Sequence, residues 1–228
     1  MASALPMESN PEIMNKYLAK LGVSNKWRMV DVIGLEGDAL TWVPRPVLAV
    51  VLLFPLSDAY EQHRRQQENE LLKQGSKAPK DVFHLKQVLS NICGTIALVH
   101  SVANNTHNIE IGDGLLKKYL KDAEGLDAAA KGALLENSTA ILEAYKDIAF
   151  IENPDGEEVN ETPNNHFVTF IHKDGSLYEL DGRKSFPINH GQTTPENLLE
   201  DAAKVCRQFI DREPDNIGFN IVALVPAD

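Results

Sequence analysis

The sequence predicts a mixed α/β (α+β) fold in which a central sheet is covered by helices on both sides. Three observations lead to this prediction. Apolar residues recur at helical spacing in several segments, the run 47–54 is apolar on both faces like a doubly covered central strand, and an antiparallel hairpin is indicated at 166–181. Helices and strands also alternate along the chain, which is typical of this class. With 228 residues, the chain suits a single domain spanning 1–228, with two small domains as the alternative.

The first part of the chain contains a helix and two strands. Asn10 is a good N-cap and Pro11 is favoured at the first helical position, so a helix is predicted to begin there and to end at Gly22. A short strand is predicted at 27–33. The apolar run 47–54, ended by a proline, is the predicted central strand.

The middle of the chain is predicted to be largely helical. Ser57 caps a helix at 58–74 whose body is nearly all charged or amide, and this charge is interpreted as a solvated face without a function. A second helix is predicted to run from the cysteine at position 93 to about position 105. Further helices are predicted at 111–120 and, as one or two helices, within 126–149.

A long polar segment at 152–165 follows these helices. It is rich in turn-forming and acidic residues. A loop of this length inside a compact domain is often a lid or a binding loop, and the alternative is a tolerated surface insertion.

The last part of the chain begins with the hairpin at 166–181. Pairing is expected to end at Pro187, because proline cannot donate to a sheet ladder. A helix is predicted from Pro195 to about Arg212, and a last apolar strand at 218–225.

Composition excludes several functional classes. The net charge of −11 repels nucleic acid and anionic membranes and favours a basic partner. No apolar run is long enough to span a bilayer, and residues 1–10 lack the features of a secretory signal, which predicts a cytoplasmic protein.

The two cysteines, Cys93 and Cys206, lie in different kinds of segment, which argues against a disulfide framework. Metal-binding patterns such as Cys-x-x-Cys are absent, so no metal site is expected, and Cys206 has the helical spacing of a core residue.

The segment 87–100 contains the strongest chemical signal. If Asn91 is an N-cap, Cys93 lies in the first helical turn, where unpaired N–H groups and the helix dipole lower the pKa of a thiol. Gly94 allows a close approach to the backbone. Gln87, six positions before the cysteine, could donate to an oxyanion formed by attack of the thiolate. The alternative interpretation is that Cys93 is a small core residue.

The hairpin selects one histidine among seven. Asp174-Gly175 predicts a tight turn, and counting back from that turn places Val168 opposite Asp181. Side chains alternate with period two, so His166 shares a face with Asp181 and is its diagonal neighbour. A carboxylate there can accept a hydrogen bond from the imidazole. A three-residue loop with a bulge would shift this register.

These residues together provide the parts of a cysteine acyl-transfer site. Cys93 is the candidate nucleophile, His166 the base, Asp181 its orienter and Gln87 the oxyanion donor. Spacing alone does not establish that the thiol lies near the imidazole.

Several segments, in order along nearly the whole chain, resemble ubiquitin carboxyl-terminal hydrolases of the short, single-domain type. The similar segments are Gln87 with Leu89–Thr95, Leu98–Asn105, His166-Phe167, Leu177–Lys184, Glu8–Glu12 and Val43–Val47. The resemblance implies a papain-like fold, with a mostly antiparallel sheet between helices and a knotted backbone. It also implies that Cys93 is the nucleophile, His166 the general base and acid, and Asp181 its orienter, with Gln87 as the oxyanion donor.

The same resemblance implies a substrate and a partner. The expected substrate is ubiquitin joined through its C-terminal glycine to a small adduct or peptide, cleaved without a metal or cofactor. The segment at about 150–165 corresponds to a crossover loop that limits the leaving group. The expected ubiquitin-contacting residues are Leu5, Pro6, Met7, Glu8 and Pro11, with Glu152, Asp155, Glu157 and Glu158 of the crossover loop.

Two rival interpretations stay open. The chain could be a ubiquitin-binding module whose triad is idle, or it could act on a ubiquitin-like modifier. We expect a monomer in the cytoplasm, with the nucleus open as a further compartment, that contacts neither nucleic acid nor membrane.

Overall fold

The computed structural model describes residues 5–75, 79–152 and 164–227. Within these ranges a six-stranded sheet has the order β1-β6-β2-β3-β4-β5, and every neighbouring pair is antiparallel. The strands are β1 Trp27–Asp31, β2 Ala49–Pro55, β3 Asn165–Lys173, β4 Ser176–Leu180, β5 Ile188–Gln192 and β6 Asn220–Pro226. The helices are α1 Pro11–Lys20, α2 Asp38–Thr41, α3 Asp58–Lys73, α4 Cys93–Ala103, α5 Leu115–Asp122, α6 Ala128–Asn137, α7 Thr139–Glu152 and α8 Leu198–Asp211. The predicted mixed α/β class with a central antiparallel sheet is confirmed.

The sheet separates two apolar cores. Along β2, Val51 packs into the core that contains α1, α4 and α7, whereas Val50 and Leu52 pack into the core that contains α8. Successive side chains of a strand point to opposite faces, so this alternation places helices on both sides. β2 also pairs on one side with β3 and on the other with β6. The prediction of a doubly covered central strand at 47–54 is therefore confirmed, with bounds shifted by one or two residues.

Local signals also set several helix ends as predicted. Asn10 caps α1 by accepting from the Glu12 N–H, and Pro11 is the first residue of that helix. Ser57 caps α3 by accepting from the Tyr60 N–H. Both caps satisfy N–H groups that the first helical turn leaves unpaired.

Other predicted elements differ from the structure. Pairing does not end at Pro187, because the next residue begins β5, a largely polar edge strand whose ladder with β4 is irregular. α8 begins at Leu198 rather than at Pro195. α5 begins at Leu115 rather than at 111, since Ile111 instead forms a β-bridge with Val23. The short helix α2 was not predicted, because four residues are too few to show a period.

A hydrogen bond from β3 holds α4 against the sheet. The Thr169 hydroxyl on β3 donates to the Ala97 carbonyl at 2.9 Å. α4 is buried along almost its whole length and ends at Ala103, with Asn104 as its C-cap, close to its predicted end. No helix in the described part of the chain is long and apolar enough to cross a bilayer.

Candidate active site

The β3–β4 hairpin has the register that the sequence predicts. Asp174 and Gly175 both have positive φ, as a two-residue type I′ turn requires, and Lys173 lies opposite Ser176. His166 Nε2 lies 2.6 Å from Asp181 Oδ1, and both side chains are almost completely buried. The predicted pairing of this imidazole with this carboxylate is therefore confirmed.

Each oxygen of the Asp181 carboxylate has a partner. Oδ1 accepts from His166 and from the Arg183 N–H at 2.8 Å, while Oδ2 accepts from the Tyr60 hydroxyl on α3. The backbone carbonyl of Asp181 also lies 3.0 Å from His84 Nε2. This set of contacts restrains both the position and the orientation of the carboxylate.

Cys93 is the first residue of α4, but the predicted cap is wrong. Asn91 has φ 69° and lies outside the helix, and Ile92 occupies the cap position without a side-chain cap bond. The first-turn N–H groups therefore remain free to interact with the thiol, and the Gly94 N–H does so. The alternative of an inert core cysteine fits Cys206 instead, which is fully buried in the core beside α8 and has its pKa raised by burial.

The thiol and the imidazole interact directly. Burial alone raises the pKa of Cys93, but the hydrogen bond and charge of His166 lower it, and the Phe167 N–H lowers it further, so the net shift is downward. Since Asp181 engages Nε2 of His166, the ring nitrogen left for the thiol is Nδ1. α4 packs on the face of the sheet opposite to the face that carries His166. Its first residue, Cys93, nevertheless reaches the beginning of β3, where His166 lies.

The lowered pKa of Cys93 and the raised pKa of His166 favour a thiolate–imidazolium pair. Burial lowers the pKa of His166, but the charge and hydrogen bond of Asp181 and the interaction with Cys93 raise it to about 9. Burial raises the pKa of Asp181, but the charge and hydrogen bond of His166, with smaller effects of Lys184 and Tyr60, together outweigh burial and keep this pKa far below its ordinary value. At neutral pH the site therefore combines a nucleophilic sulfur with a charged acid and a fixed carboxylate.

Gln87 reaches the site through a contact that the sequence does not reveal. Its backbone N–H donates to the Gly182 carbonyl at 2.7 Å, directly after Asp181. A Cβ at Gly182 would lie 3.0 Å from the Gln87 Cβ, so glycine permits this approach. The Gln87 amide donates to the Leu89 carbonyl at 3.0 Å, and its buried Oε1 has no hydrogen-bond partner among the residues that the structure describes.

The charged helix α3 is more than a solvated face. Arg183 pairs with Glu61, and the Ser185 N–H donates to Glu68 at 2.7 Å. Arg64 links these two glutamates by ion pairs of 3.0 and 2.7 Å. The interpretation of this charge as a face without a function is therefore corrected, because one side of α3 holds the segment that follows Asp181.

The predicted ubiquitin-contacting residues have different environments. Leu5 and Glu8 are exposed, and Pro6 and Pro11 are half-buried. Met7 is buried, and its side chain packs on Gly94, where an added Cβ would lie 2.5 Å from the Met7 Cβ. A direct contact by the Met7 side chain would therefore require it to leave this position.

The N-terminal segment is also tied to the helices below it. Tyr145 on α7 donates to the Pro6 carbonyl and accepts from the Glu8 N–H, at 3.2 and 3.1 Å. Asp155, Glu157 and Glu158 of the predicted crossover loop lie outside the described residues, and the side chain of Glu152 is not described either.

Sequence reasoning missed Tyr60, His84 and Lys184 near the acid. A tyrosine within a polar helix is a weak signal, and Tyr60 is the one fully buried side chain of α3. Lys184 is 1% exposed, which is rare for a lysine and cannot be read from its neighbours in sequence. Among residues 5–75, 79–152 and 164–227, no group of three or more His, Cys, Asp or Glu side chains could hold a metal ion.

Comparison with known proteins agrees with this geometry. The profile described as "ubiquitin carboxyl-terminal hydrolase, family 1" matches residues 4–211. The chain belongs to this family. It is 44% identical to a ubiquitin carboxyl-terminal hydrolase of Drosophila melanogaster over 227 residues, covering 100% of this chain and 99% of the relative. It is 45% identical over 224 residues to the isozyme L1 of Rattus norvegicus, covering 97% and 98% of the two chains.

Solved structures give the same fold. The catalytic domain of Trichinella spiralis UCH37, bound to ubiquitin vinyl methyl ester, superposes with a TM-score of 0.81 at 22% sequence identity. The superposition covers 99% of this chain and 97% of the other. The family profile and the relatives confirm the predicted family and hydrolase class, and the solved structure confirms the fold.

Proposed function

We propose that this chain is a thiol-dependent deubiquitinating hydrolase that removes small adducts or peptides from the C-terminal glycine of ubiquitin. The observation that carries the proposal is the buried array in which His166 contacts both the Cys93 thiol and the Asp181 carboxylate. Membership of the ubiquitin carboxyl-terminal hydrolase family supports the substrate.

The proposed reaction begins with attack by the Cys93 thiolate on the carbonyl carbon of the terminal glycine. The bond to the leaving amine then breaks as the His166 imidazolium gives its proton to that amine, leaving a thioester. His166, now neutral, removes a proton from water, and hydroxide releases ubiquitin from Cys93. Asp181 keeps the imidazole in one orientation and stabilises its charge in both steps.

The oxyanion that forms on the glycine carbonyl needs donors. We assign this role to the Gln87 side-chain amide and the Cys93 backbone N–H, which belongs to an unpaired first helical turn. The amide now donates to the Leu89 carbonyl, so it has to be shared with or turned towards the oxyanion. The Gly182 contact holds the backbone of Gln87 while this occurs.

The finer parts of the proposal concern partner, extent and location. Residues 1–228 form one catalytic domain that acts as a monomer in the cytoplasm. The proposed ubiquitin contacts are those of the N-terminal segment and the crossover loop, and this loop sets the leaving-group limit. The net charge of −11 suits a partner with a basic tail.

Ubiquitin vinyl methyl ester tests the proposal directly, because a thiolate adds to its vinyl group. The expected result is one covalent adduct, located on Cys93 by peptide mass analysis, and none in Cys93→Ala. Cys206→Ala is the matched control and should react like the wild type, since Cys206 is fully buried. Binding without an adduct would support the idle-triad alternative. Neither binding nor adduct, with reaction of a ubiquitin-like probe instead, would refute ubiquitin as the substrate.

A further inference from the structure

A buried ion pair lies beside the proposed catalytic acid and takes no part in the reaction described above. Lys184 and Glu179 are each 1% exposed, and the lysine Nζ contacts Glu179 Oε1. The same Nζ donates to Gln67 Oε1 on α3 at 2.8 Å, and His190 Nε2 on β5 lies 2.7 Å from Glu179 Oε2. Burying charged groups is costly, so such a pair is weak evidence for stability.

The position of the pair relates it to Asp181. Glu179 lies in β4 and Asp181 directly follows the end of that strand, so the alternation of side chains places both buried carboxylates on the same face. Like charges at this separation oppose each other's ionisation. The Lys184 N–H donates to the Asp181 carbonyl at 3.0 Å, and its side chain turns back towards Glu179. The Lys184 side chain therefore pairs with Glu179, while its backbone is held by Asp181.

Titration directions agree with this geometry. Burial raises the pKa of Glu179, but the charge of Lys184 and the interaction with His190 lower it to about 2. For Asp181, burial raises the pKa, His166 lowers it, and the charge of Lys184 lowers it further.

We propose that Lys184 and Glu179 are positioning residues for the reaction. Lys184 supplies the buried positive charge that compensates Glu179 beside the ionised Asp181. Glu179 holds the ammonium away from the Asp181 carboxylate, so that the lysine does not displace His166. The consequence for catalysis rests on the proposed function, whereas the electrostatic part does not.

Other charged and titratable groups face this pair. They are His63 and Tyr60 on α3, Cys206 on α8, Arg212 after α8, His190 on β5, and Arg183 next in sequence. Burial lowers the pKa of His63, and so do the charges of Arg212 and Lys184, which keeps His63 uncharged at neutral pH. Arg212 lies over the Phe209 ring at 4.5 Å, and no ion pair joins it to Glu179 in the described part of the chain. Within the described residues, Lys184 is therefore the lysine or arginine that pairs with Glu179.

The test removes the Lys184 charge in two single variants, and in a double variant it removes the opposite charge of Glu179 as well. Lys184→Met removes the charge and the donor, whereas Lys184→Gln keeps a donor to Glu179. The double variant E179Q/K184M removes both charges together. Lys204→Met is the matched control, because it removes an exposed lysine that pairs with Asp201.

Two pH profiles are measured for each variant. The first is the rate of Cys93 alkylation by iodoacetamide, which reports thiolate formation without ubiquitin, and the second is kcat/KM for a fluorogenic ubiquitin C-terminal amide. Without Lys184, the charge of Glu179 is left uncompensated and opposes formation of further negative charge in the site, so the Cys93 thiolate forms at higher pH. We expect the acid limb of both profiles to move up by about one pH unit in both single variants, or about tenfold in rate below the limb. The double variant and Lys204→Met should follow the wild type.

The outcomes separate this inference from the proposed function. An unshifted alkylation profile in Lys184→Met and Lys184→Gln would overturn the inference and leave a purely structural ion pair. A shifted profile in E179Q/K184M would also overturn it. If Lys184→Met does not fold, the other two variants decide. A wild type that is alkylated with the expected profile but releases no fluorophore would instead refute the proposed function.

Discussion

Replacing Asp181 by asparagine should remove a charge while preserving shape. The asparagine Oδ1 can accept from the Arg183 N–H and from His166 Nε2 where Asp181 Oδ1 does so now, at 2.8 and 2.6 Å. Its amide nitrogen would then face Tyr60, whose hydroxyl can rotate to accept instead of donate. The fold and the imidazole orientation are therefore expected to survive.

The expected loss of kcat in Asp181→Asn follows from the raised pKa of the His166 imidazole. Interactions in the site raise the pKa of His166 from 6.5 to about 9, with the charge and hydrogen bond of Asp181 as the largest raising causes. That difference corresponds to about 3 kcal/mol in favour of imidazolium, most of which Asp181→Asn removes. Because the imidazolium is both the partner of the thiolate and the acid for the leaving amine, we expect kcat to fall by about 100-fold or more.

A fluorogenic ubiquitin C-terminal amide measures this change. We expect kcat to fall while KM changes little, and the alkaline limb of the pH profile to move down from about 9 as the pKa of His166 falls. Asp174→Asn is a suitable control, since it makes the same change in the exposed hairpin turn. A variant that keeps more than about a tenth of the wild-type kcat would refute the reasoning from charge.

Three further predictions concern the surroundings of the triad. Tyr60→Phe leaves an oxygen of the buried Asp181 carboxylate without its donor. The free energy of unfolding in urea should fall by about 1–3 kcal/mol, and kcat should fall too. Tyr119→Phe, the control, removes the hydrogen bond to the Lys131 carbonyl and should leave kcat unchanged. Gly94→Ala forces a Cβ into the Met7 side chain, so the free energy of unfolding should fall by about 1–3 kcal/mol and turnover should slow. Gly112→Ala, the control, has room for its Cβ and should be tolerated. Equal effects of the two changes would contradict the packing argument. In a variant without the catalytic thiol, Asp181 still raises the pKa of His166 above its unfolded value near 6.5. The stability that results is fully present below about 6.5 and should be lost as pH rises through the raised folded-state pKa. A flat free energy of unfolding over that pH range would contradict the assigned shift.

Much of the fold and of the candidate site could be predicted from local sequence signals. The Asp174-Gly175 turn and the alternation of apolar residues specify a hairpin register, and a register places side chains on faces. The pairing of His166 with Asp181 therefore follows from the sequence. Cys93 was placed correctly in a first helical turn, although its neighbour Asn91 adopts a left-handed conformation instead of capping the helix.

Contacts between distant segments could not be predicted in this way. Tyr60 donates to Asp181 across 121 residues, and the charges of α3 find partners in the segment 183–185 only after the two have packed together. The edge strand β5 carries little apolar alternation, and its pairing with β4 makes it a strand.

The sequence by itself determined the mixed α/β class, the hairpin and the identity of the thiol, imidazole and carboxylate, because each depends on spacing within one segment. Only the tertiary structure decided that the thiol meets the imidazole, that Gln87 is held by Gly182, and that Lys184 and Glu179 lie buried beside the acid. Turn chemistry and side-chain periodicity act over a few residues. Burial and electrostatic pairing depend on which segments pack together, and that is a property of the whole chain.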